Sequence, residues 1–465
     1  MHIHLVGIGG AGMSAIARVL LGRGYRVSGS DMDSNEQTES LTASGATIFK
    51  GHDSAYIKGA DLLVVSSAIP PTNPEWAAAR GQDIPVMKRA DLIGNLMTGN
   101  VGIAIAGTHG KTTTTGMVAH LLIETGFDPT VILGGTLPEL GGNGRFGRGP
   151  HFVVEADEYD YMFLGLRPEI AVITNVEHDH PDLFPTLTTY QDAFRQFVDQ
   201  MADQSRLFVC ADDPGILDLL DDPPLTRAGL KTYGLDVSGI KGRALDFCAL
   251  DLRPNQMGGT DFVVAIGGHS IGLARIRVPG NHNVRNALAA IALGRELGID
   301  FAQICRALAS FGGVRRRFQM MGEVADIMVI DDYAHHPTEI KVTLAAARQR
   351  FPGRRLWAVW QPHTFSRTRL LMDEFAESFR EADRVIALDI YRSRESNDTG
   401  ISTTDVVSRM AHPNVVYIPG REEAAAYLLE RVNPGDVILT LGAGDGNLVG
   451  EWVLNGLKQQ RGVNN

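Results

Sequence analysis

Two glycine-rich segments of the chain have residue types that hold phosphate groups. The first, Gly7-Ile8-Gly9-Gly10-Ala11-Gly12, fits the pattern G-x-G-x-x-G and lies between a strand-like run and a helical pattern. Glycines let the backbone approach a diphosphate closely, and the free N–H groups at a helix N-terminus face its negative charge. Asp31 follows at the end of the next strand-like run, where its carboxylate would accept a hydrogen bond from a sugar hydroxyl. NAD, FAD and a UDP-sugar all present this diphosphate, and a tight turn without a ligand is the remaining alternative.

The second segment, Gly107-Thr108-His109-Gly110-Lys111-Thr112, also stands between a strand-like run and a helical pattern. Its backbone N–H groups would surround phosphate oxygens, Lys111 would neutralise them, and the Thr112 hydroxyl would bind Mg²⁺. The segment is shorter than the strict Walker pattern, because Ile105 stands six positions before Lys111, where that pattern has glycine. A diphosphate loop together with a separate triphosphate loop predicts ATP-driven chemistry on a nucleotide-linked substrate.

Acidic residues follow two further strand-like runs, at positions 155–158 and 175–180. A phosphate loop needs an acidic partner for Mg²⁺ at the end of a neighbouring strand, and Mg²⁺ prefers oxygen ligands. Asp157, Glu177 and Asp179 are equally compatible with solvated positions at loop tips. Two histidines also lie in the second segment, but zinc needs three or four ligands, and no further cluster has metal-ligand spacing. The sequence therefore predicts a magnesium site.

Strands and helices must position these loops, and strand-like runs alternate with helical patterns over most of the chain. Such alternation predicts α/β architecture with parallel strands. The strand predictions are residues 3–6, 25–28, 61–66, 101–106, 152–154, 170–174, 261–266, 269–277, 327–330, 356–360, 385–388 and 437–441, and the helix predictions are about 13–23, 113–124, 284–297 and 301–311. Residues from about 225 to 278 instead favour antiparallel pairing, with a hairpin turn at Gly267-Gly268.

Composition excludes several classes of protein. The chain has 465 residues, of which 44% are hydrophobic and 21% charged, and this is typical of a globular protein with more than one domain. A formal net charge of −11 argues against nucleic acid as a partner. The three cysteines lie far apart, which predicts neither a disulfide framework nor a zinc knuckle. No apolar run approaches the roughly 18 residues of a membrane span, and no signal peptide is recognisable, so we expect a cytoplasmic protein without membrane insertion.

Several segments together resemble the Mur ligase family of peptidoglycan synthesis. They are residues 7–14, 107–112, 155–158 and 280–286, with 316–318, 331–339 and 361–363 in the last third of the chain. The resemblance implies three domains. Residues 1–98 would form a Rossmann-like domain that binds a UDP-sugar, and residues 99–313 a central P-loop domain with a mixed sheet that binds ATP. Residues 314–465 would form a second Rossmann-like domain, which closes on ATP and the amino acid after a hinge at Gly312-Gly313.

Within this family the chain is most similar to the alanine-adding type. The resemblance implies that UDP-N-acetylmuramate and L-alanine are the substrates and that ATP and Mg²⁺ are required. The enzyme would join the amine of L-alanine to the lactyl carboxylate through an acyl phosphate, acting as a monomer or a homodimer. The sequence does not decide between L-alanine and glycine or L-serine as the amine.

The resemblance also implies roles for individual residues. Those implied to bind the UDP-sugar are Gly9, Gly10, Ala11, Gly12 and Met13, together with Asp31, Ser66, Ser67 and Ala68. Those implied to bind ATP are Gly107, Thr108, His109, Gly110, Lys111, Thr112, Thr113, His282, Asn283, Asn286 and Arg317. The metal ligands would be Thr112, Glu155 and His180, and the catalytic residues Lys111, His335 and His336. Either His335 or His336 would take the proton of the amine, unless both histidines only organise their loop. Arg315 is expected at the surface.

Three positions depart from the family pattern. Thr364 stands where many relatives carry arginine, so recognition of a carboxylate or phosphate there must be weaker or must come from elsewhere. Tyr159 replaces a commoner serine and also occurs in the related ligase that recycles a murein tripeptide. Residues 190–200 contain no lysine, so the carbamylated lysine of some sister ligases has no counterpart.

Three alternatives remain open at the level of sequence. The tripeptide-recycling ligase belongs to the same family, and the short stretch between Asp160 and Asn175 argues against it. An NAD-dependent oxidoreductase would explain the first glycine loop and Asp31 but leaves the second loop without a role. A nucleotide-binding regulator without catalysis would not need Lys111 and Glu155.

Overall fold

The computed structural model describes residues 1–201, 205–220, 229–235, 244–393, 395–397 and 400–460. Within these ranges the strands form three β-sheets that follow one another along the chain, and helices accompany each sheet. The predicted class, α/β with three domains and largely parallel strands, is confirmed. None of the described helices is both long enough and apolar enough to cross a membrane.

The first sheet consists of five parallel strands. They are β1 His2–Val6, β2 Arg26–Asp31, β3 Thr47–Lys50, β4 Leu62–Val65 and β5 Val86–Lys88, and the helices are Ala11–Gly22, Glu36–Ala43, Ser54–Ile57 (3₁₀), Pro74–Gly81 and Arg89–Met97. The order is β3-β2-β1-β4-β5, so the chain leaves β1 on one side and returns to β4 on the other. Ligands bind in the crevice beyond the carboxyl ends of two such strands. The first glycine loop follows β1 and residues 66–73 follow β4, so both segments lie at this crevice.

The second sheet has ten described strands of mixed direction. They are β6 Val101–Ala106, β7 Thr130–Leu137, β8 Gly142–Arg145, β9 His151–Glu155, β10 Ile170–Ile173, β11 Arg206–Cys210, β12 Gly229–Gly234, β13 Phe247–Pro254, β14 Thr260–Ile266 and β15 His269–Ile276. The helices are Lys111–Glu124, Leu187–Asp199, Pro214–Leu219, Asn281–Glu296 and Phe301–Ser310, with 3₁₀ turns at Pro138–Leu140 and Tyr159–Gly165. The order is β15-β14-β13-β12-β11-β10-β6-β9-β7-β8.

The antiparallel prediction for residues 225–278 is partly wrong. β12 pairs in parallel with β11 and with β13, whereas β13, β14 and β15 are antiparallel and turn at Gly267-Gly268 as predicted. Alternation of side chains along a strand does not reveal the direction of its neighbour, so the pattern could not separate β12 from the hairpin. Residues 225–228 and 236–243 lie outside the described residues.

The two loop-bound helices begin earlier than predicted. Helix Ala11–Gly22 and helix Lys111–Glu124 each start two residues before the predicted position, because Gly10 and Gly110 serve as their N-caps. Residues 112–122 of the second helix are all buried, since this helix lies between the central sheet and helix Asn281–Glu296. The second glycine loop is therefore attached to one of the most deeply buried helices in the described chain.

The third sheet has six strands. They are β16 Gln319–Val324, β17 Ile327–Asp332, β18 Leu356–Trp360, β19 Arg384–Ala387, β20 Val415–Tyr417 and β21 Val437–Leu441, and the helices are Pro337–Arg350, Phe365–Leu370, Met372–Ala376, Thr403–Val407, Arg421–Leu429 and Asn447–Gln460. The order is β16-β17-β21-β18-β19-β20, with β16 antiparallel to β17 and the other pairs parallel.

We propose that the domain boundaries lie between residues 98 and 99 and between 313 and 314. Helix Arg89–Met97 is the last element of the first sheet's unit, and β6 begins the next at Val101. Gly313 has a φ of +98°, which favours glycine, and it separates helix Phe301–Ser310 from β16. The units are in contact: the Asn143 side chain donates to the Ala11 carbonyl across 2.7 Å, between the second and the first.

Candidate active site

The phosphate loop runs from the end of β6 to Lys111 and is fixed by the end of β10. Gly107 has a φ of +131°, and a Cβ atom there would lie 2.0 Å from the Thr174 hydroxyl oxygen, so only glycine fits. The Asn175 side-chain oxygen accepts a hydrogen bond from the His109 N–H at 2.7 Å, and the Thr174 hydroxyl donates to the His109 carbonyl at 2.6 Å. The loop is thus held in place before any nucleotide binds.

Lys111 lies at the first turn of its helix and pairs with a buried carboxylate. Its Nζ donates to the carbonyls of Gly107 and Thr108 and lies 2.8 Å from Glu158 Oε2. Burial acts to lower the pKa of Lys111, but the charges of Glu158, Asp157 and Glu155 and the hydrogen bond to Glu158 together outweigh it and raise the pKa. Burial acts to raise the pKa of Glu158, but the charge of Lys111 and the hydrogen bond and charge of His180 together outweigh it and lower the pKa to about 2. Both groups are therefore charged at neutral pH, and Lys111 is available as a phosphate counter-ion.

Two of the three expected metal ligands, Thr112 and Glu155, lie close together. The Thr112 hydroxyl donates to Glu155 Oε1 at 2.8 Å, and the Gly134 N–H donates to Glu155 Oε2 at 2.6 Å. Adjacent oxygen ligands of an octahedral Mg²⁺ ion, at about 2.1 Å from the metal, are about 3.0 Å apart. The 2.8 Å separation of the two side-chain oxygens therefore fits such an ion without rearrangement.

His180 has an unusual backbone and an acidic environment. Its φ of +54° lies in the left-handed region, which is uncommon for residues other than glycine. Burial acts to lower its pKa, but Asp179 and Glu158 outweigh burial and raise it. Both acids lie within 4 Å of its Nε2, at 3.8 and 3.6 Å.

A cavity of about 660 Å³ is lined by residues of all three domains. From the first domain it is lined by Gly10, Ala11, Gly12, Met13 and Ser66; from the second by Thr108, Gly110, Lys111, Thr112, Glu155 and His180; and from the third by Arg317, His335, Thr364 and Arg367. Both glycine loops therefore open into one space. A diphosphate on the first loop and a triphosphate on the second would meet there.

Two smaller cavities adjoin the large one. The first, of about 270 Å³, is lined by four residues of helix Asn281–Glu296, namely His282, Asn283, Arg285 and Asn286, and also by His109, Gly110, Thr113 and Arg317. It has the place expected for the base of ATP. The second, of about 370 Å³, is lined by Ser66, Ser67 and Ala68 together with Trp76 and Arg89. It has the place expected for the uracil end of a UDP-sugar.

Asp31 lies at the end of β2, as predicted, but its carboxylate is already engaged. Asp31 Oδ2 accepts a hydrogen bond from the Gly9 N–H at 2.8 Å. The side chain therefore stabilises the first glycine loop through its backbone. This contact uses one of the carboxylate oxygens that we expected to face a sugar hydroxyl.

The two candidate base histidines have different surroundings. His335 lines the large cavity, and its Nδ1 lies 3.0 Å from the Tyr333 carbonyl, which can only accept. Nδ1 must then carry the proton, which leaves the Nε2 lone pair free to take one. His336 is 2% exposed and caps helix Pro337–Arg350, with its Nδ1 facing the Thr338 N–H at 3.3 Å. Burial lowers the pKa of both histidines to about 4, so both are neutral at pH 7.

Charged pairs connect the third domain to the second across the cavities. Arg367 Nε donates to Asp179 Oδ1 at 2.8 Å, and both side chains are almost fully buried. His109 Nε2 lies 3.0 Å from Glu177 Oε2, and its Nδ1 lies 3.3 Å from Glu339 Oε1. The interpretation of Asp179 as a solvated loop residue is therefore wrong, and Glu177, although partly exposed, is held by His109.

Comparison with known proteins agrees with this arrangement. Three family models match the chain in succession: "Mur ligase family, catalytic domain" over residues 2–100, "Mur ligase middle domain" over 105–294, and "Mur ligase, glutamate ligase domain" over 316–444. A UDP-N-acetylmuramate–L-alanine ligase of Roseiflexus sp. (strain RS-1) is 45% identical over 99% of this chain and 100% of its own. The chain belongs to the Mur ligase family.

Other Mur ligases also match the chain over nearly its whole length. A UDP-N-acetylmuramate–L-alanine ligase of Salinibacter ruber is 45% identical over 96% of this chain and 92% of its own. The crystal structure of a UDP-N-acetylmuramate–alanine ligase from Thermotoga maritima superposes with a TM-score of 0.83 at 31% identity, covering 99% of this chain and 100% of that one. A murein peptide ligase from Psychrobacter arcticus superposes with a TM-score of 0.73 at 26% identity, covering 98% of each chain. Membership of the Mur ligase family is incompatible with the oxidoreductase alternative.

Sequence reasoning did not assign three polar residues of this Mur ligase that touch the loops. Glu158 was seen as part of an acidic run, but nothing along the chain indicated its pairing with Lys111. The Tyr190 hydroxyl donates to Glu158 Oε1 at 3.1 Å. Tyr190 belongs to helix Leu187–Asp199, which lies in the stretch without lysine. The Arg89 side chain packs against Gly12, so that a Cβ atom added at Gly12 would lie 2.3 Å from Arg89 Nη1. Arg89 also forms an ion pair with Asp157 at 3.1 Å. No spacing signal marks these residues, because each comes from a different segment.

One histidine and carboxylate cluster of this Mur ligase was also not foreseen. Among the described residues, His109, Glu177 and His336 bring ligand atoms within 4.8 Å of one another. The expectation from the sequence concerned metal-ligand spacing along the chain, whereas this cluster is formed only by the fold. Its members come from three separate segments, so their spacing along the chain carried no signal.

Arg315 is exposed, as expected, but it also forms an ion pair with Glu36 of the first domain. Arg316 pairs with Asp331 inside the third domain, whereas Arg317 reaches the phosphate loop, with Nη2 at 3.4 Å from the Thr112 hydroxyl. The three consecutive arginines of this Mur ligase thus contact three different domains.

Proposed function

We propose that this chain is an ATP-dependent ligase that joins L-alanine to the lactyl carboxylate of UDP-N-acetylmuramate in peptidoglycan precursor synthesis. The observation that carries the proposal is the 660 Å³ cavity into which both glycine loops open. The relatives that match at about 45% identity over nearly the whole chain have this activity in their names.

A carboxylate is a poor acyl donor because its leaving group would be oxide, and transfer of the γ-phosphoryl group of ATP solves this problem. Attack by the lactyl carboxylate gives an acyl phosphate and ADP. The reaction brings two anions together, so positive charge must be placed between them. Lys111 and Arg317 line the cavity and supply that charge from the phosphate loop and from the third domain.

Thr112, Glu155 and His180 would hold Mg²⁺. The ion would screen the phosphate oxygens and stabilise the charge that spreads over the transferring group. The 2.8 Å contact between the Thr112 and Glu155 oxygens supports this assignment. Burial raises the pKa of Glu155. The charge of Lys111 and a bound metal ion would oppose this effect and favour the ionised carboxylate.

In the second step the amine of L-alanine attacks the acyl phosphate, and phosphate leaves from a tetrahedral intermediate. A base must take the proton of the amine. We assign this role to His335, because its Nε2 is unprotonated and the residue lines the cavity. His336 is assigned to capping helix Pro337–Arg350, which keeps the loop of His335 in place.

One assay tests the central proposal. Phosphate release is measured with UDP-N-acetylmuramate, ATP and Mg²⁺, comparing L-alanine, glycine, L-serine and the murein tripeptide as the amine. We expect release with L-alanine, and no release with any amine would overturn the proposal. When L-alanine is omitted, added hydroxylamine should trap the acyl phosphate as a hydroxamate.

The tripeptide-recycling ligase is retained as the second candidate because of Tyr159. The Tyr159 ring packs at 5.0 Å from the His180 ring, and its hydroxyl donates to Asp182 at 3.1 Å, so it borders the proposed metal site. Faster release with the tripeptide than with L-alanine would favour this candidate.

A cytoplasmic location belongs to the same proposal, since ATP and UDP-linked sugars are made there. Whether the enzyme acts as a monomer or a homodimer is measured by light scattering at assay concentration.

A further inference from the structure

Three side chains from two domains converge beside the cavity expected for the base of ATP. His109 and Glu177 belong to the second domain, and His336 belongs to the third. Each offers a ligand atom within 4.8 Å of the other two. Glu177 Oε2 lies 3.0 Å from His109 Nε2 and 3.9 Å from His336 Nδ1. We call these three residues the histidine–glutamate cluster.

His336 presents an unprotonated ring nitrogen to the cluster. Its Nδ1 lies 3.3 Å from the Thr338 N–H, which can only donate, so Nδ1 must be an acceptor. Burial lowers the pKa of His336 to about 4, so the ring is neutral at pH 7 and its proton lies on Nε2. That Nε2 has no hydrogen-bond partner among the described residues, so the polar contacts of the ring are all on its Nδ1 side. A lone pair gains nothing from facing a carboxylate unless a cation lies between them.

The other two members of the cluster have partners that would fix them as metal ligands. His109 Nδ1 lies 3.3 Å from Glu339 Oε1, and the Thr338 hydroxyl donates to Glu177 Oε1 at 2.7 Å. Metal-bound histidines commonly donate their second ring N–H to a carboxylate, and carboxylate ligands are themselves hydrogen-bonded. Both features are in place here, and they leave His109 Nε2 and Glu177 Oε2 facing one another.

The ligand atoms favour Zn²⁺ over Mg²⁺. Two imidazole nitrogens with one carboxylate oxygen are a known ligand set for zinc, whereas Mg²⁺ prefers oxygen. Tetrahedral ligands at about 2.0 to 2.1 Å from zinc are about 3.3 Å apart. The observed separations of 3.0 and 3.9 Å lie on either side of this value. His109 and Glu177 also line the 270 Å³ cavity, which leaves room for a water molecule as the fourth ligand.

We propose that the histidine–glutamate cluster is a binding site for one Zn²⁺ ion, which joins the third domain to the second. The ion takes the place of the proton that His109 Nε2 shares with Glu177, and this proton passes to the solvent. Without the ion, His109 and Glu177 keep the ion pair described above. The site is separate from the one proposed for Mg²⁺, with which it has no residue in common.

Bound zinc should inhibit the enzyme, and this consequence rests on the proposed function. His109 belongs to the second glycine loop, so the ion would tie this loop to His336 of the third domain. It would also occupy one wall of the cavity expected for the base of ATP. Phosphate release in excess Mg²⁺ should therefore fall as Zn²⁺ is added.

The experiment measures the Zn²⁺ affinity of the full chain by competition with a zinc-binding dye, in excess Mg²⁺ and without nucleotide. We expect one ion per chain. His336→Asn keeps a side-chain acceptor at the helix N-cap but removes the ring, so it should weaken binding at least about 100-fold. Thr338→Val removes only the hydroxyl that holds Glu177 and should weaken binding about tenfold. His269→Gln, a change at an exposed histidine at the start of β15, should bind zinc like the wild type.

X-ray absorption at the zinc edge identifies the ligands independently of affinity. We expect scattering from two imidazoles in the wild type and from one in His336→Asn. An ion held instead by Thr112, Glu155 and His180 would show a single imidazole in both proteins.

The effect on activity has its own test. Thr338→Val should need about tenfold more Zn²⁺ than the wild type for the same loss of phosphate release. Full release by a wild type that has bound zinc would overturn the inhibitory role. Zinc binding by a chain that releases no phosphate under any condition would contradict the proposed function and leave the site established.

Three results would overturn the site itself: no zinc binding in excess Mg²⁺, unchanged affinity in His336→Asn, or a single imidazole in the wild-type spectrum. If His336→Asn does not fold, Thr338→Val and the wild-type spectrum decide, and unchanged affinity in Thr338→Val then counts against the site.

Discussion

At the scale of single residues, the active site consists of charges that are paired before substrate arrives. Lys111 is held by Glu158, and Glu158 is in turn held by Tyr190 and faces His180. Removing one partner of such a buried pair leaves an uncompensated charge, whereas removing both does not. Stability and activity can therefore be separated by mutation.

Lys111→Ala should abolish ADP formation and leave UDP binding intact. It should also destabilise the fold by about 3 kcal/mol, because it leaves Glu158 buried without its cation. Lys111→Ala combined with Glu158→Gln should recover most of the stability without activity. Denaturant unfolding and ADP assays measure the two effects, and turnover in either variant would contradict the role of Lys111.

His109 should make stability depend on pH. Burial acts to lower the pKa of His109, but hydrogen bonds and charge from Glu177 and Glu339 outweigh it and raise the pKa to about 9. The stability that its charge provides is fully present below the unfolded pKa of about 6.5 and is lost as pH rises through about 9. The free energy of unfolding should fall by at most about 3 kcal/mol over that range, relative to His109→Gln. Equal pH dependence of the two proteins would show that the pairing is not formed in solution.

At the scale of elements, local patterns predicted which segments are strands and helices, and the limits of β6, β18 and β21 agree with the prediction. Both glycine loops were also located correctly, because glycine spacing next to a strand is a local signal. The direction of β12 and the position of Arg89 in the cavity wall were not predicted, since both depend on packing between distant segments. For the same reason the sequence named Lys111 but did not reveal its pairing with Glu158.

Gly107→Ala should disable the phosphate loop. The added Cβ would meet the Thr174 hydroxyl at 2.0 Å in a backbone conformation that favours glycine, so the loop or β10 must move. We expect a loss of at least about 2 kcal/mol in stability and of most ATP binding. Gly126→Ala is the control, because Gly126 also has a positive φ of +82° but no neighbour within 4 Å of the Cβ position. It should cost about 1 kcal/mol and leave ATP binding unchanged.

At the scale of the whole molecule, three domains enclose one reaction space, and buried or half-buried charges join the third to the second. The pair between Arg367 and Asp179 is the most deeply buried of these contacts. Burial acts to raise the pKa of Asp179, but the charge of Arg367, together with His180 and the neighbouring histidines, outweighs it and holds the pKa well below its usual range. Closure of the third domain is therefore coupled to the ionisation of Asp179.

Arg367→Ala should open the molecule. Asp179 would be left buried without its cation, so separation of the domains, which exposes it to water, becomes favourable. Small-angle scattering should show a larger radius of gyration, and the KM for ATP should rise. Adding Asp179→Asn should reverse the expansion in part. An unchanged radius in Arg367→Ala would mean that other contacts, such as those of His109, hold the domains together.

The cavities share walls, and this has a consequence for inhibitor design. Gly110 and Arg317 line both the 270 and the 660 Å³ cavities, while Ser66 and Arg89 line both the 660 and the 370 Å³ cavities. Fragments that occupy neighbouring cavities can therefore be tethered by a short linker without crossing protein. Tethering makes the second binding event intramolecular, and a linker that matches the gap raises affinity about 10² to 10⁴ times over either fragment alone. A compound that fills all three spaces would occupy both nucleotide sites at once, so neither substrate alone could fully displace it.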